Sequence, residues 1–257
     1  MGLFDKKYCD ICGKKIGLLG NRKLEDGNLC KDCAKKLSPW FSDRKRSTVQ
    51  EIKEQLAYRE ANKAVVDAFN VTRALGDRTT VLLDEDSKKF IVTSSRNWRD
   101  ENPDVLDFSM VTGCDLDIDE TRTELKRKDA EGKEISYDPP RYEYNYDFEM
   151  VIRVNHPYFS EMRFPLNSES VLFQPDMPRG LIDRPVNSNP RMMPEYQRYE
   201  KMGNEIKEIL MTERQHVRDT VIAESAPKKS VTCPWCGAMT FPDEKGCCTY
   251  CGGSLNA

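Results

Sequence analysis

Eight of the chain's ten cysteines stand as four C-x-x-C pairs. Cys9 with Cys12 and Cys30 with Cys33 lie near the start, and Cys233 with Cys236 and Cys248 with Cys251 near the end. Two intervening residues let both thiols of a pair turn toward one ion, and two pairs supply the soft ligands of a tetrahedral four-thiolate zinc site. Four thiolates leave no open coordination position, so the expected chemistry is structural: two Zn2+ per chain and no catalytic role for either. A thioredoxin-like redox pair would need a βαβ context, which the flanking residues do not supply.

The first four ligands must be positioned by a module spanning residues 1-41. Seventeen residues, Gly13 to Leu29, separate its cysteine pairs and contain Gly17, Gly20-Asn21 and Asp26-Gly27, the turn chemistry of one or two tight hairpins. Gly13 directly follows Cys12, where a zinc knuckle turns the chain at positive φ. The segment Cys30 to Leu37 reads as a short helix ending before Ser38-Pro39. Knuckle, hairpin and ligand-bearing helix make a treble clef, with a zinc ribbon as the close variant. The basic run Arg44-Lys45-Arg46 beside Trp40 and Phe41 reads as a solvated linker, with phosphate or lipid contact the sharper alternative.

The second four ligands fall in a C-terminal zinc ribbon, residues 231-257. Its knuckles, Cys233-Pro-Trp-Cys-Gly237 and Cys248-Thr-Tyr-Cys-Gly252, share the form C-x-x-C-G across eleven intervening residues. Cys247 competes with Cys248 as ligand, and the matching register favours Cys248. Trp235 and Tyr250 are expected to cover the small metal core; stacking on a partner or a base is the alternative.

Between the modules the periodicity changes twice. Ser47 to Gln50 and Thr48 to Glu51 form overlapping capping boxes. Val49, Ile52, Leu56, Val65, Ala68, Phe69 and Leu75 then keep helical spacing, predicting one or two connecting helices over 47-76, thin at Tyr58 to Lys63. Residues 79-222 read as a β domain of six or seven short strands. The clearest has Tyr144, Tyr146, Phe148, Met150, Ile152 and Val154 on one face. Five prolines within residues 174-194 mark a long loop, and apolar spacing from Tyr199 to Val217 predicts a closing helix over 195-218. The fold class expected is therefore α+β: an antiparallel β sandwich or barrel of pleckstrin-homology-like (PH-like) outline with a C-terminal helix, flanked by two small four-cysteine zinc modules.

Other residues invite sharper readings that their context weakens. Asp115, Asp117 and Asp119 open like a calcium loop, but Glu120 stands where the EF-hand turn needs glycine, so they read as one solvated strand face. Cys114 falls on an apolar strand face and reads as core. His156 reads as a strand-end turn residue and His216 as a helix residue. No phosphate-binding glycine loop or nucleophile elbow is legible, and the expectation is a non-enzyme.

Charge is uneven. Residues 1–46 carry twelve Lys/Arg against six Asp/Glu, while the remainder carries 28 against 37. A basic first module thus sits on an acidic body, and the net charge of −3 argues against a chain that coats nucleic acid or anionic membrane over its whole surface. No stretch approaches the roughly 20 apolar residues of a membrane helix, and the opening residues lack a secretory h-region. Paired C-x-x-C motifs in that setting predict a cytoplasmic protein with metal rather than disulfides.

The run Met1-Gly-Leu-Phe-Asp-Lys-Lys-Tyr-Cys-Asp-Ile-Cys-Gly13, together with Leu29-Cys-Lys-Asp-Cys-Ala-Lys-Lys-Leu-Ser-Pro-Trp-Phe41, resembles the bacterial DUF4428 family, a zinc finger of unknown function. The resemblance implies metal ligands at Cys9, Cys12, Cys30 and Cys33. The terminal Cys-Pro-Trp-Cys-Gly pattern resembles the widespread bacterial zinc ribbons. The function expected is a cytoplasmic zinc-binding adaptor that meets a protein partner through the PH-like domain and zinc modules. The alternative is a nucleic-acid binder using the basic first module. Serine at Cys9 or Cys233 is expected to unfold only its own module.

Overall fold

Turn chemistry folds residues 7–29 into two hairpins of minimal length. β1 (Lys7–Tyr8) pairs with β2 (Lys15–Ile16), and β3 (Arg22–Lys23) pairs with β4 (Asn28–Leu29), both antiparallel. A one-turn helix, α1 (Lys31–Ala34), follows directly. The computed structural model describes residues 6–175, 189–225, 230–243 and 245–255. The chain divides into two compact units, 1–215 and 216–257.

Thr48 starts α2 (Val49–Ala68) with a complete capping box: its side chain accepts from the Glu51 N–H, and Glu51 accepts from the Thr48 N–H. The helix is continuous through Tyr58–Lys63, where the apolar stripe thins. Its inward face there is polar, with Gln55, Arg59 and Asn62 all buried. The helix also stops earlier than its spacing suggests. Residues after Phe69 turn into β5 (Arg73–Gly76), which pairs with β6 (Thr80–Asp84), so Leu75 belongs to a strand and the helical segment 47-76 is corrected to 49–68. Asp84 fixes this turn by accepting the Asn70 and Ser87 N–H groups, which outweigh its burial and hold its carboxyl below the usual range.

β6 continues antiparallel to β7 (Lys89–Thr93). A short α3 (Trp98–Glu101) then leads to β8 (Val105–Asp107), giving the sheet order β5-β6-β7-β8. The second sheet is built on a long hairpin, β9 (Val111–Lys128) and β10 (Glu134–Val154), with β11 (Glu161–Pro165) and β12 (Val171–Phe173) on β10's other edge. The turn between β9 and β10 is closed by the Asp129 N–H donating to the Lys133 carbonyl. β10 runs through Pro139-Pro140, where the ladder skips from Ser136 to Arg141 because proline brings no N–H to it. The two sheets remain separate, and no ladder closes them into a barrel among the described residues.

Helix α4 (Pro194–Ser225) packs Tyr196 and Tyr199 against Phe148 of β10. A Cβ at Gly203 would come within 2.6 Å of Leu116, so glycine there sets how closely helix and sheet approach. Cys114 is buried beneath this layer, and burial pushes its thiol up to about 12. The Asp115–Asp117 face is occupied by cations: Asp115 lies between Arg153 and Lys207, and Asp117 pairs with Arg163. His156 is buried with Nε2 3.0 Å from the Tyr58 hydroxyl, and burial holds its imidazole below the usual range. Most of the Pro-rich segment 174-194, namely 176–188, falls outside the described residues. No described helix is long and apolar enough to cross a membrane.

The first zinc module is not a free-standing bead. Leu24, Leu29, Leu37 and the buried cysteines share one apolar cluster with Ile52 of α2, and Val49 and Leu56 pack against it. The boundary expected at residue 41 is therefore one of sequence and not of packing.

Candidate metal centres

Each set of four cysteines converges. The sulfurs of Cys9, Cys12, Cys30 and Cys33 lie within 4.8 Å of one another, as do those of Cys233, Cys236, Cys248 and Cys251. Four sulfurs at about 2.3 Å from a tetrahedral zinc are about 3.8 Å apart. Cys12 and Cys30 are 3.7 Å apart, Cys233 and Cys251 3.6 Å, and Cys236 and Cys248 3.8 Å. These separations are far beyond a disulfide bond of about 2.05 Å and match the edges of a thiolate tetrahedron.

Local folding explains the convergence. In the first knuckle the Gly13 N–H donates to the Cys9 carbonyl, with Gly13 at φ +70°. The ribbon repeats this twice: the Gly237 N–H donates to the Cys233 carbonyl and the Gly252 N–H to the Cys248 carbonyl, at φ +70° and +74°. A residue with a Cβ is strained in that conformation, which is why C-x-x-C-G recurs. The Cys30–Cys33 pair is held differently. Cys30 is the N-cap of α1, its sulfur accepting the Cys33 N–H, so the helix start presents both ligands. Hairpins followed by a ligand-bearing helix form a treble-clef arrangement in residues 7–34.

The thiols are not equivalent. Burial opposes ionisation of Cys9, but N–H groups from Cys30, Cys12 and Ile11 outweigh it and bring the thiol down to about 7. Cys248 likewise falls to about 7 against its own desolvation, through the Cys251 and Tyr250 N–H groups. Burial and proton sharing with the other three cysteines push Cys33 well up. Four crowded sulfurs cannot all carry negative charge without a cation, and a divalent ion that displaces the protons relieves this. Each cluster suits one zinc ion, two per chain.

Cys247 and Cys248 are separated by geometry. Cys248 is buried in the cluster, whereas the Cys247 sulfur lies 3.8 Å from the Lys245 carbonyl and outside the four-sulfur set. Metal analysis of Cys247→Ser should return two zinc ions per chain, as for the unaltered protein, while Cys248→Ser should return one. Equal losses from both would contradict this assignment.

Sequence reasoning missed the polar cluster beneath the first module. Arg59 Nη1 donates to Asp104 at 2.7 Å, its Nη2 donates to the Asn102 carbonyl, and its Nε donates to the Lys36 carbonyl just after α1. The Ser38 hydroxyl donates to the other Asp104 oxygen, also at 2.7 Å. The one available signal was a run of polar residues at helical spacing, 55, 59 and 62, on a helix with apolar neighbours.

The comparisons with known proteins agree with this metal chemistry. Residues 7–55 match the family described as "Domain of unknown function (DUF4428)", a span that includes the first turns of α2. No curated protein and no solved structure matches the chain. Residues 232–251 match "Putative testis-expressed protein 13C, zinc finger domain", so the C-terminal module is similar to a known zinc-finger domain.

Proposed function

We propose that this is a cytoplasmic, non-enzymatic adaptor whose C-terminal zinc ribbon docks a protein partner. The observation that carries the reading is the ribbon's surface. Trp235, Met239, Phe241 and Tyr250 are 75%, 72%, 53% and 74% exposed, on a module with few other large side chains. Trp235 and Tyr250 were expected to cover the metal core; instead they face outward. Trp235 is also held in place, with Nε1–H donating to the Ser254 carbonyl and its ring lying against Gly253. A pre-positioned, exposed aromatic loses little side-chain freedom on binding and suits the anchor of a protein interface.

Fully thiolate-ligated zinc supports a structural role over an enzymatic one, and eight reduced cysteines suit a reducing compartment. The test is capture of a partner by the full chain. Trp235→Ala with Tyr250→Ala should retain both zinc ions and lower recovery of a stoichiometric partner about tenfold or more, the scale of an aromatic anchor. Unchanged recovery, or no stoichiometric partner for the unaltered chain, overturns the reading.

A further inference from the structure

Among the described residues, Leu18 and Leu19 are the most exposed large apolar side chains, at 92% and 93%. They are the two central residues of a β-turn closed by the Gly20 N–H donating to the Gly17 carbonyl at 3.0 Å. Those positions usually hold proline, glycine, asparagine or aspartate, which serve the turn itself. Leucine does nothing for the turn, and here it touches no core. The turn is nonetheless well fixed, since it links β2 to β3 and Arg22 Nη1 donates to the Leu19 carbonyl.

Cations surround the tip. From Gly13 to Leu24 the chain carries Lys14, Lys15, Arg22 and Lys23 and no acidic residue. Among the described residues none of the four is in an ion pair. Lys14, Lys15 and Lys23 are exposed, and Tyr8, 53% exposed, lies opposite Lys15 across the β1–β2 ladder. Arg44 folds back so that Nη1 donates to the Lys23 carbonyl. Burial, and then the neighbouring Arg22 charge, hold Arg44 below the usual guanidinium range, as expected of two cations with no anion between them. The nearest acids in sequence, Glu25 and Asp26, lie in the turn beyond β3, where Asp26 accepts the Val49 N–H.

We propose that the first zinc module is a peripheral membrane anchor: the Leu18-Leu19 tip inserts into an anionic bilayer while Lys14, Lys15, Arg22, Lys23 and Arg44 meet the headgroup phosphates. An apolar tip ringed by cations fits a surface that is apolar inside and negative at its face. Nucleic acid offers phosphate for the cations but admits leucine only at base steps it must unstack, whereas a bilayer takes both leucines into its apolar interior without that cost, so the tip favours the bilayer. Each element is weak alone, and binding is reversible because a few inserted side chains fall short of a stable anchor. The treble clef supplies the rigidity, since its zinc fixes both hairpins that flank the tip. This goes beyond the adaptor reading and is tested on the other end of the chain, so the two fail separately.

The experiment is vesicle flotation of the full zinc-loaded chain. It should float with vesicles of equal parts phosphatidylcholine and phosphatidylglycerol, stay behind with phosphatidylcholine alone, and be released as salt is raised. Leu18→Ser with Leu19→Ser should keep both zinc ions and bind at least about tenfold more weakly, the loss expected for two partly buried leucines. Arg22→Gln with Lys23→Gln should weaken binding and flatten its salt dependence. Absence of flotation, flotation indifferent to phosphatidylglycerol, or full binding by the serine variant overturns the proposal. So does a leucine-dependent dimer in vesicle-free buffer, or duplex binding indifferent to the leucines in a chain that ignores vesicles.

Discussion

Cys9→Ser should destabilise the whole first unit, whereas Cys233→Ser should unfold only the ribbon. Ligand spacing alone gives no reason for this asymmetry, since both changes remove one of four zinc ligands. In the folded chain Cys9 is 2% exposed and lies in one cluster with Leu24, Leu29, Leu37 and Ile52. Zinc binding supplies about 10–16 kcal/mol of folding free energy to isolated finger peptides, so the hairpins and α1 have little else to hold them. Their unfolding strips the cover from Ile52, Val49 and Leu56 and leaves the start of α2 without its partners. For a unit of this size the midpoint should fall by about 10 °C or more. The ribbon belongs to the second compact unit, 216–257, and not to the first. Cys233→Ser should therefore leave the main thermal transition in place while halving the bound zinc. Calorimetry with hydrogen exchange checks both: α2 amides lose protection in the first variant and keep it in the second. Loss confined to residues 6–41 in Cys9→Ser would show that the shared cluster carries no stability.

What was legible in the sequence was what is locally determined. The four C-x-x-C pairs and the knuckle glycines are readable because ligand spacing and positive φ act within five residues. The strand face from Tyr144 to Val154 is readable because period-2 alternation reports one buried face. β5 was not, since Val65, Ala68, Phe69 and Leu75 continue a helical spacing by coincidence. What decides the matter is Asp84, which accepts the Asn70 N–H from fourteen residues away. The outward-facing Trp235 and Tyr250 were also misplaced. A zinc-stapled module has almost no core to bury them in, so aromaticity alone does not predict burial there.

The polar inner face of α2 is the largest of these gaps, because its logic lies more than forty residues downstream. Arg59 and Asp104 have side chains 7% and 0% exposed and join three pieces of the first unit: the chain after α1 through Lys36 and Ser38, the middle of α2, and the Asn102–Asp104 loop leading into β8. Asn62 adds to the same junction by donating to the Asn102 side chain and the Pro103 carbonyl. Asp104→Ala leaves the guanidinium buried with carbonyls alone, and Arg59→Ala leaves a buried carboxylate with one hydroxyl. Breaking a buried pair from either side costs about 3–5 kcal/mol, about 10 °C in the midpoint for a unit of this size. Replacing both together, Arg59→Met with Asp104→Leu, removes both charges and should recover most of that loss, a coupling that a double-mutant cycle reads directly. The same junction seats the zinc module, because the Trp40 N–H and Asp104 both bind the Ser38 hydroxyl. Asp104→Ala should thus release zinc from the first site to a chromogenic chelator faster, with the ribbon's release rate unchanged. Single substitutions costing under about 1 kcal/mol, the level of a surface pair, would mean that apolar packing alone holds the module on α2.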